Sequence, residues 1–361
     1  MKILHLLSSL QKINYGVWNA VRSTFAPLKD LGVENYLVVP EQPGEMPEEL
    51  SNENVFFIPN DQTDIPNYLI NKNLAVKNET VIISHGSWQI PTRLAKKLNE
   101  LGFPWLAYPH GMLEPWSMQH KRWKKLLYFT VFEKRYLSQA NQVIAVGAPE
   151  QSNLKKWFPN AGLIPNGIEP FVKPVVKEDE VISVLFLGRL HTKKNPLELA
   201  KAWIASSLKN KKNYQLIIAG PDEGEQTKIE KEIVATHTGN ILLPGPVYGI
   251  EKEKLLCSSH FFALPSQSEG FPTSVLEAMT FQCVPIISEG CNFPEALQNN
   301  VALEVEDNIG SIKNKLEEIS SWKAEEIEQK GKKAKKFVDE NYSLQKIAQM
   351  QFTLYKQLLN A

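Results

Sequence analysis

Short apolar runs alternate with helix-length amphipathic intervals along the whole chain, and this alternation limits the possible folds more than any other feature. Ile3–Leu7 precedes a helix candidate over Val17–Leu31 and then the run Tyr36–Val39. Val81–Ser84 precedes Thr92–Leu101, and Trp105–Tyr108 precedes a helical stretch reaching Leu137, followed by Gln142–Val146. Runs this short, bounded by turn residues, suit strands buried on both faces of a parallel sheet, with the intervals as crossovers. The pattern restarts after residue 180 with Val181–Leu187, Gln215–Ala219, Ile241–Leu243, Phe261–Leu264 and Pro285–Ser288. A βα repeat that restarts, in 361 residues, predicts an α/β protein of two doubly wound halves.

Between the halves lies Ile164-Pro165-Asn166-Gly167-Ile168-Glu169-Pro170, followed by a charged stretch over 173–180 containing Pro174. Asn-Gly and nearby prolines make a stiff connection rather than a core element. The boundary is therefore expected near residue 168, giving domains 1–168 and 169–342. Ser343–Leu359 carries its apolar residues on one helical face. By periodicity alone this helix fits either half.

Composition narrows the class. Forty Lys and Arg balance forty Asp and Glu, which argues against a dedicated nucleic-acid binder. A 43% hydrophobic content is enough for each half to bury a core. No apolar stretch approaches the length of a membrane span. The start, Met1-Lys2-Ile3-Leu4-His5-Leu6-Leu7-Ser8-Ser9, lacks a signal peptide's longer apolar region. Cys257, Cys283 and Cys291 cannot all pair and form no Cys-x-x-Cys, so reduced thiols and a cytoplasmic protein are expected.

Ligands of open parallel sheets bind beyond the carboxyl ends of the strands. There the chain places Ser8–Gly16, Ser84-His85-Gly86, Pro109-His110-Gly111, Gly188-Arg189, Ala219-Gly220-Pro221 and Pro265–Pro272. The dinucleotide fingerprint, the triphosphate loop, His-Glu-x-x-His and the Gly-x-Ser-x-Gly elbow are all missing from the sequence. The most informative stretch runs from Pro265 to Met279, where a strand gives way to a polar loop and then to a helix starting near Thr273 or Ser274. Bare amides at Ser274 and Val275 would form a positive pocket for a diphosphate. Glu277, within a turn of that pocket, could accept hydrogen bonds from ribose hydroxyls. Ser274-x-x-Glu277 fits a capping box equally well.

Glu269-x7-Glu277 resembles the signature of retaining nucleotide-sugar glycosyltransferases of family 4, which have the GT-B fold. Leu187-Gly188-Arg189-Leu190-His191-x2-Lys194-Asn195 resembles the family's Gly-Arg-Leu...Lys-Gly segment, with Asn195 where glycine is usual. Ile218-Ala219-Gly220-Pro221, Leu243-x-Gly245-x-Val247 and Glu277-Ala278-Met279 followed by Pro285-Ile286-Ile287-Ser288 fall in the family's order. Pro109-His110-Gly111-Met112-Leu113 resembles an N-terminal motif of the same enzymes. Cys283 stands where glycine is usual, and Gly16 alone stands in a first loop where two glycines are common.

The resemblance implies two Rossmann-like domains facing a central cleft, with the C-terminal helix 343–361 packing back on the first. It implies that Glu277 binds the donor ribose, that Ser274 and Val275 give amides to the diphosphate, and that Arg189 and Lys194 embrace it. Glu269 would lie beside the transferred sugar, with Gly270, Phe271 and Pro272 shaping its pocket and Val247 near the base. Gly16 would let the first loop approach the phosphate and acceptor, and His110 would face the reacting centre from the other domain. Arg189 and Lys194 as fixed cations would stabilise the departing diphosphate. Glu178-Asp179-Glu180 reads as a solvated linker rather than an Asp-x-Asp metal motif, so metal-free leaving-group stabilisation is expected, with no cofactor.

His85 shares His110's strand-end setting and reads as acceptor-side positioning or plain structure, whereas His5, inside a strand, reads as core. Lys121-Arg122-Trp123-Lys124-Lys125, beside Trp116 and Phe129, suits either a helix lying on an anionic bilayer or an exposed basic face with inward aromatics. The expected activity is transfer of a sugar, with retention, from a nucleoside-diphosphate-sugar to a hydroxyl on a glycan or lipid-linked acceptor. The expected setting is bacterial surface polysaccharide biosynthesis, in the cytoplasm or peripherally on the membrane's inner face. The rivals are another GT-B chemistry, epimerisation or phosphorolysis, and a non-catalytic nucleotide- or glycan-binding protein.

Overall fold

The computed structural model describes every residue except 12–14, 42–46, 89, 120–121, 176, 178–179 and 361. The chain divides into two compact units, Met1–Gly167 with Leu344–Ala361, and Ile168–Ser343.

Among the described residues the first unit carries seven strands: β1 (Lys2–Leu6), β2 (Glu34–Pro40), β3 (Val55–Ile58), β4 (Thr80–His85), β5 (Trp105–Tyr108), β6 (Gln142–Ala145) and β7 (Gly162–Leu163). All pairings are parallel, in the order β3-β2-β1-β4-β5-β6-β7. The central strands are buried on both faces: Ile3, Leu4, Val81, Ile82, Trp105 and Leu106 are all fully enclosed. That is what a continuous apolar run without alternation encodes. Helix Leu344–Leu359 packs on helix Phe25–Asp30 and on β4, with Leu344, Ile347, Ala348 and Tyr355 on its buried face.

The second unit has six described strands, again all parallel: β8 (Ile182–Leu187), β9 (Tyr214–Ala219), β10 (Ile241–Gly245), β11 (Phe261–Leu264), β12 (Val284–Ser288) and β13 (Leu303–Val305). Their order is β10-β9-β8-β11-β12-β13. Both sheets are doubly wound, as the alternation predicts.

Two sequence expectations need correction. The helix expected over Val17–Leu31 is broken into Tyr15–Arg22 and Phe25–Asp30. Pro27 has no N–H to continue the first helix, but it is tolerated in the first turn of the second. The helical stretch towards Leu137 is likewise interrupted: a π turn, Phe129–Glu133, separates helix Arg122–Tyr128 from Lys134–Leu137. The buried Glu133 carboxylate accepts the Trp88 N–H at 2.8 Å and the Thr92 hydroxyl at 3.1 Å, which holds the turn against helix Ile90–Glu100.

Candidate functional site

In the second unit the carboxyl ends of β8, β9, β11 and β12 bring their loops into close contact. Gly220 adopts φ +146°, and a Cβ there would sit 1.8 Å from the Gly188 carbonyl oxygen, so the β8 and β9 loops touch backbone to backbone. Gly290 plays the same part on the other side, where a Cβ would lie 2.2 Å from the Ser266 carbonyl. The Gln267 N–H donates to Lys193 O at 2.8 Å, and the Glu269 N–H donates to Gly290 O at 2.7 Å. The loop after β11 is thus clamped between the loops after β8 and β12.

This clamp brings Lys194 and Glu269 together. Lys194 closes a short turn, Thr192–Lys194, and its Nζ lies 2.6 Å from Glu269 Oε1, with the two side chains 16% and 14% exposed. Ser266 Oγ donates to the same oxygen at 2.7 Å. Asn195, next in the chain, has φ +57° and ψ 38°. That is the left-handed conformation glycine favours and asparagine tolerates, which explains how Asn195 replaces the usual glycine. Cys283, the other departure, is enclosed in the core and its thiol donates to Ser259 O at 3.2 Å.

Glu277 lies in helix Thr273–Thr280, one turn past the start. The N-cap is Pro272 and no side chain caps the helix, so the capping box is not formed. Glu277 Oε1 instead meets Lys252 Nζ at 2.6 Å. Of the two amides expected to be bare, Val275 donates to Pro272 O at 2.9 Å, a tight first-turn bond that the proline cap makes available. Among the described residues, this leaves Ser274 rather than Val275 as an unpaired amide of the first turn. Arg189 is exposed and donates through one nitrogen to both oxygens of Glu223, at 3.0 Å each. Each cation assigned to the diphosphate is therefore already held by a carboxylate.

Other expected residues fall as follows. Pro272 is buried, Gly270 and Phe271 half-buried, and the Phe271 ring rests edge-on against Phe293 at 5.6 Å, which anchors the loop from below. Val247 packs against the core of this unit. Gly16 lies in helix Tyr15–Arg22 rather than in the preceding loop, because the helix begins at Tyr15; a Cβ there would meet nothing within 4 Å. Part of that loop, 12–14, lies outside the described residues, as do Glu178, Asp179 and Lys121.

In the first unit His110 follows β5 with φ +53°, and Gly111 follows with φ +74°. The left-handed conformation costs roughly 1–3 kcal/mol at His110 and nothing steric at Gly111, and the His110 ring packs beside His85 and Tyr108. The fully buried Glu150 holds this turn, accepting the Gly111 N–H at 2.6 Å and the Val146 N–H at 2.8 Å. Burial pushes the Glu150 carboxyl up to about 7, against the lowering effect of those two donors. His110 Nε2 lies 2.9 Å from His85 Nδ1, and His85 Nε2 lies 3.0 Å from His5 Nδ1. Burial lowers all three histidines, His5 and His110 to about 4. They border a cavity of about 20 Å³, together with Tyr108, Gln351 and Tyr355. His5 is buried inside β1, as expected, with both ring nitrogens hydrogen-bonded.

Sequence reasoning missed Glu223, Lys252, Glu150 and Asn35, which accepts from His5 Nε2 at 3.1 Å. Glu223 stands just past the Gly220-Pro221 strand end, a position already marked. Lys252 and Glu150 sit in helices and carry no local signal.

Comparison with known proteins adds to this geometry. The profile described as Glycosyl transferases group 1 matches residues 168–337, and that described as Glycosyltransferase Family 4 matches residues 16–170. The chain is 28% identical over 277 residues to the O-antigen biosynthesis glycosyltransferase WbnH of Escherichia coli, covering 73% of this chain and 74% of that protein. The crystal structure of Anabaena Alr3699/HepE in complex with UDP and glucose is similar with a TM-score of 0.78 at 14% identity, covering 99% of this chain and 100% of the other. A glycosyltransferase from Rickettsia africae ESF-5 is similar with a TM-score of 0.76 at 18% identity, covering 99% and 98%.

Proposed function

Because the chain belongs to the GT-B glycosyltransferases, with a family 4 first half and a group 1 second half, we propose that it transfers a sugar from a nucleoside-diphosphate-sugar to an acceptor hydroxyl. The observation that carries this reading is the gathering of Lys194, Glu269, Arg189, Ser274 and Glu277 at the carboxyl ends of one parallel sheet. Glu277 binds the ribose, displacing Lys252. Arg189, Lys194 and the Ser274 amide take the diphosphate, and Glu269 stands beside the sugar. UDP and glucose in Alr3699/HepE support a donor of this class.

The transfer proceeds with retention and without a metal. The bond from the anomeric carbon to the phosphate oxygen breaks as the bond to the acceptor oxygen forms on the same face. The acceptor proton passes to the leaving phosphate, and the cations stabilise the charge that develops there. The two glutamates serve different parts of the donor, unlike the closely spaced pair of a retaining glycosidase.

The acceptor is a glycan or lipid-linked intermediate of surface polysaccharide assembly, a reading supported by the likeness to WbnH. Among the described residues no helix is long and apolar enough to cross a membrane. Helix Arg122–Tyr128 nonetheless presents Trp123, 83% exposed, and Leu127, 67% exposed, with Val131 and Phe132 beyond them. Large apolar groups held in water beside a basic run suit peripheral docking on an anionic bilayer. Thermal stabilisation against UDP, GDP and ADP tests the donor, since a ligand of the native state raises its melting point. Nucleotide release from the matching sugar donors, with and without acceptor, then separates transfer from epimerisation or mere binding, which release none.

A further inference from the structure

The histidines of the first unit follow a strict geometric rule. In the parallel register Asn35 of β2 pairs with Ile3 of β1, and His5 lies two residues beyond Ile3. His5 pairs with Ile83 of β4, and His85 lies two residues beyond Ile83. His85 pairs with Tyr108 of β5, and His110 lies two residues beyond Tyr108. Each step crosses one strand and advances two residues, so Asn35, His5 and His85 leave the same face of the sheet by alternation, and the left-handed turn at His110, just past the end of β5, brings its ring to His85. The result is a diagonal chain from Asn35 Oδ1 to His5 Nε2 at 3.1 Å, His5 Nδ1 to His85 Nε2 at 3.0 Å, and His85 Nδ1 to His110 Nε2 at 2.9 Å. The ring nitrogens point at one another in series rather than at a common centre, which is a relay and not a metal site.

We propose that Asn35, acting through His5 and His85, fixes the tautomer of His110 so that its Nδ1 is presented unprotonated, as a hydrogen-bond acceptor for a hydroxyl group. A neutral imidazole carries one N–H donor and one acceptor nitrogen. Asn35 Oδ1 can only accept, so His5 carries its proton on Nε2 and accepts on Nδ1. His85 must then donate from Nε2 and accept on Nδ1, and His110 must donate from Nε2. Among the described residues, the one ring nitrogen of the series not spent on a neighbour is His110 Nδ1, at the strand end where ligands of such sheets bind. Were the Asn35 amide NH2 turned to His5, every bond would reverse and His110 would offer a proton instead. Asn35, His5 and His85 are thus positioning residues. A buried polar series is tolerated when its members are satisfied, and here both ring nitrogens of His5 and of His85 are paired. The burial that keeps the imidazoles neutral at pH 7 is what gives the tautomer its meaning, since a doubly protonated ring has no acceptor.

The relay stands on geometry alone; only its use in transfer rests on the proposed function, so the two can fail separately. The test is long-range 1H–15N correlation of histidine-labelled full-length protein at pH 7, with His110 assigned by His110→Gln. The expected result is His110 protonated on Nε2 in the wild type and in Asn35→Asp, which keeps an acceptor at the head of the series. In Asn35→Leu and His85→Phe the His110 signal should shift to a mixture of tautomers. A wild-type His110 protonated on Nδ1, or the same tautomer in all four proteins, overturns the proposal. In the kinetic arm, turnover on whichever of UDP-glucose, GDP-mannose and ADP-glucose is a donor should fall at least about tenfold in Asn35→Leu, with donor KM unchanged and recovery in Asn35→Asp. A changed tautomer with unchanged turnover overturns the use in transfer, and if His110→Ala is equally active the role of His110 in the proposed function falls with it.

Discussion

Lys252 Nζ lies 2.6 Å from Glu277 Oε1, so the carboxylate assigned to the donor ribose is occupied by a cation from the neighbouring helix Gly249–Ser258. Both side chains keep partial contact with water, so the pair is exchangeable rather than a buried lock. Glu277→Gln should weaken donor binding by roughly ten- to a hundredfold, the worth of a charge-assisted hydrogen bond. Its melting point should stay near wild type, because Pro272 and not Glu277 starts the helix. Calorimetric titration of the nucleotide beside a melting curve checks both; unchanged affinity with a lowered melting point would remove Glu277 from the donor site.

Lys194 and Arg189 should part company in stability although both are assigned to the diphosphate. Lys194→Ala leaves the Glu269 carboxylate mostly enclosed with Ser266 as its remaining side-chain partner, which should cost about 1–3 kcal/mol as well as turnover. Arg189→Ala removes an exposed pair with Glu223 worth about 0–1 kcal/mol, so it should lower turnover alone. Urea unfolding and initial rates of both variants decide this. In the same assay EDTA should leave wild-type activity intact; loss that a divalent ion restores would contradict metal-free transfer.

The relay histidines make the first unit acid-labile. His5 and His110 titrate near 4 in the folded chain and near 6.5 when unfolded. With the folded values depressed, the unfolded chain binds protons first, so stability is fully present above pH 6.5 and is lost as pH falls towards 4. Each depression of this size corresponds to roughly 3 kcal/mol once fully expressed. Glu150, raised to about 7, acts in the opposite sense: its contribution is present below about 4.5 and lost as pH rises through 7. Melting curves from pH 7.5 to 4.5 for wild type and His85→Phe should therefore converge as the pH falls, and parallel curves would show that the relay does not titrate on unfolding.

Membrane docking has two separable components. Reversal of charge at Lys121, Arg122, Lys124 and Lys125 should abolish the salt-sensitive part of binding to anionic vesicles, at about 1 kcal/mol per basic residue. Trp123→Ser with Leu127→Ser should reduce the part that survives high salt, since these two are the most exposed of the large apolar side chains described there. Co-sedimentation at low and high salt reads both. A wild type that never pellets with anionic lipid would mark the surface as a solvated face.

The sequence by itself determined the architecture and the chemistry-bearing loop. Short apolar runs bounded by turn residues suit strands enclosed on both faces, so β1, β4, β5, β8, β9 and β11 are legible without coordinates. β7 and β13 escape because they are edge strands of two and three residues, too short to leave a run, whereas β3 does carry an apolar run, Val55–Ile58, that the sequence reading passes over. The polar loop between Leu264 and Thr273 is likewise read from local chemistry. Partners distant in the chain are not: Lys252 for Glu277, Glu223 for Arg189, Glu150 for the His110–Gly111 turn. Those depend on which strands lie side by side, information held in sheet order and not in residue spacing. Asn35, His5, His85 and His110 become a single device only when β2, β1, β4 and β5 are aligned in register, because a hydrogen bond requires about 3 Å between atoms that the sequence separates by tens of residues.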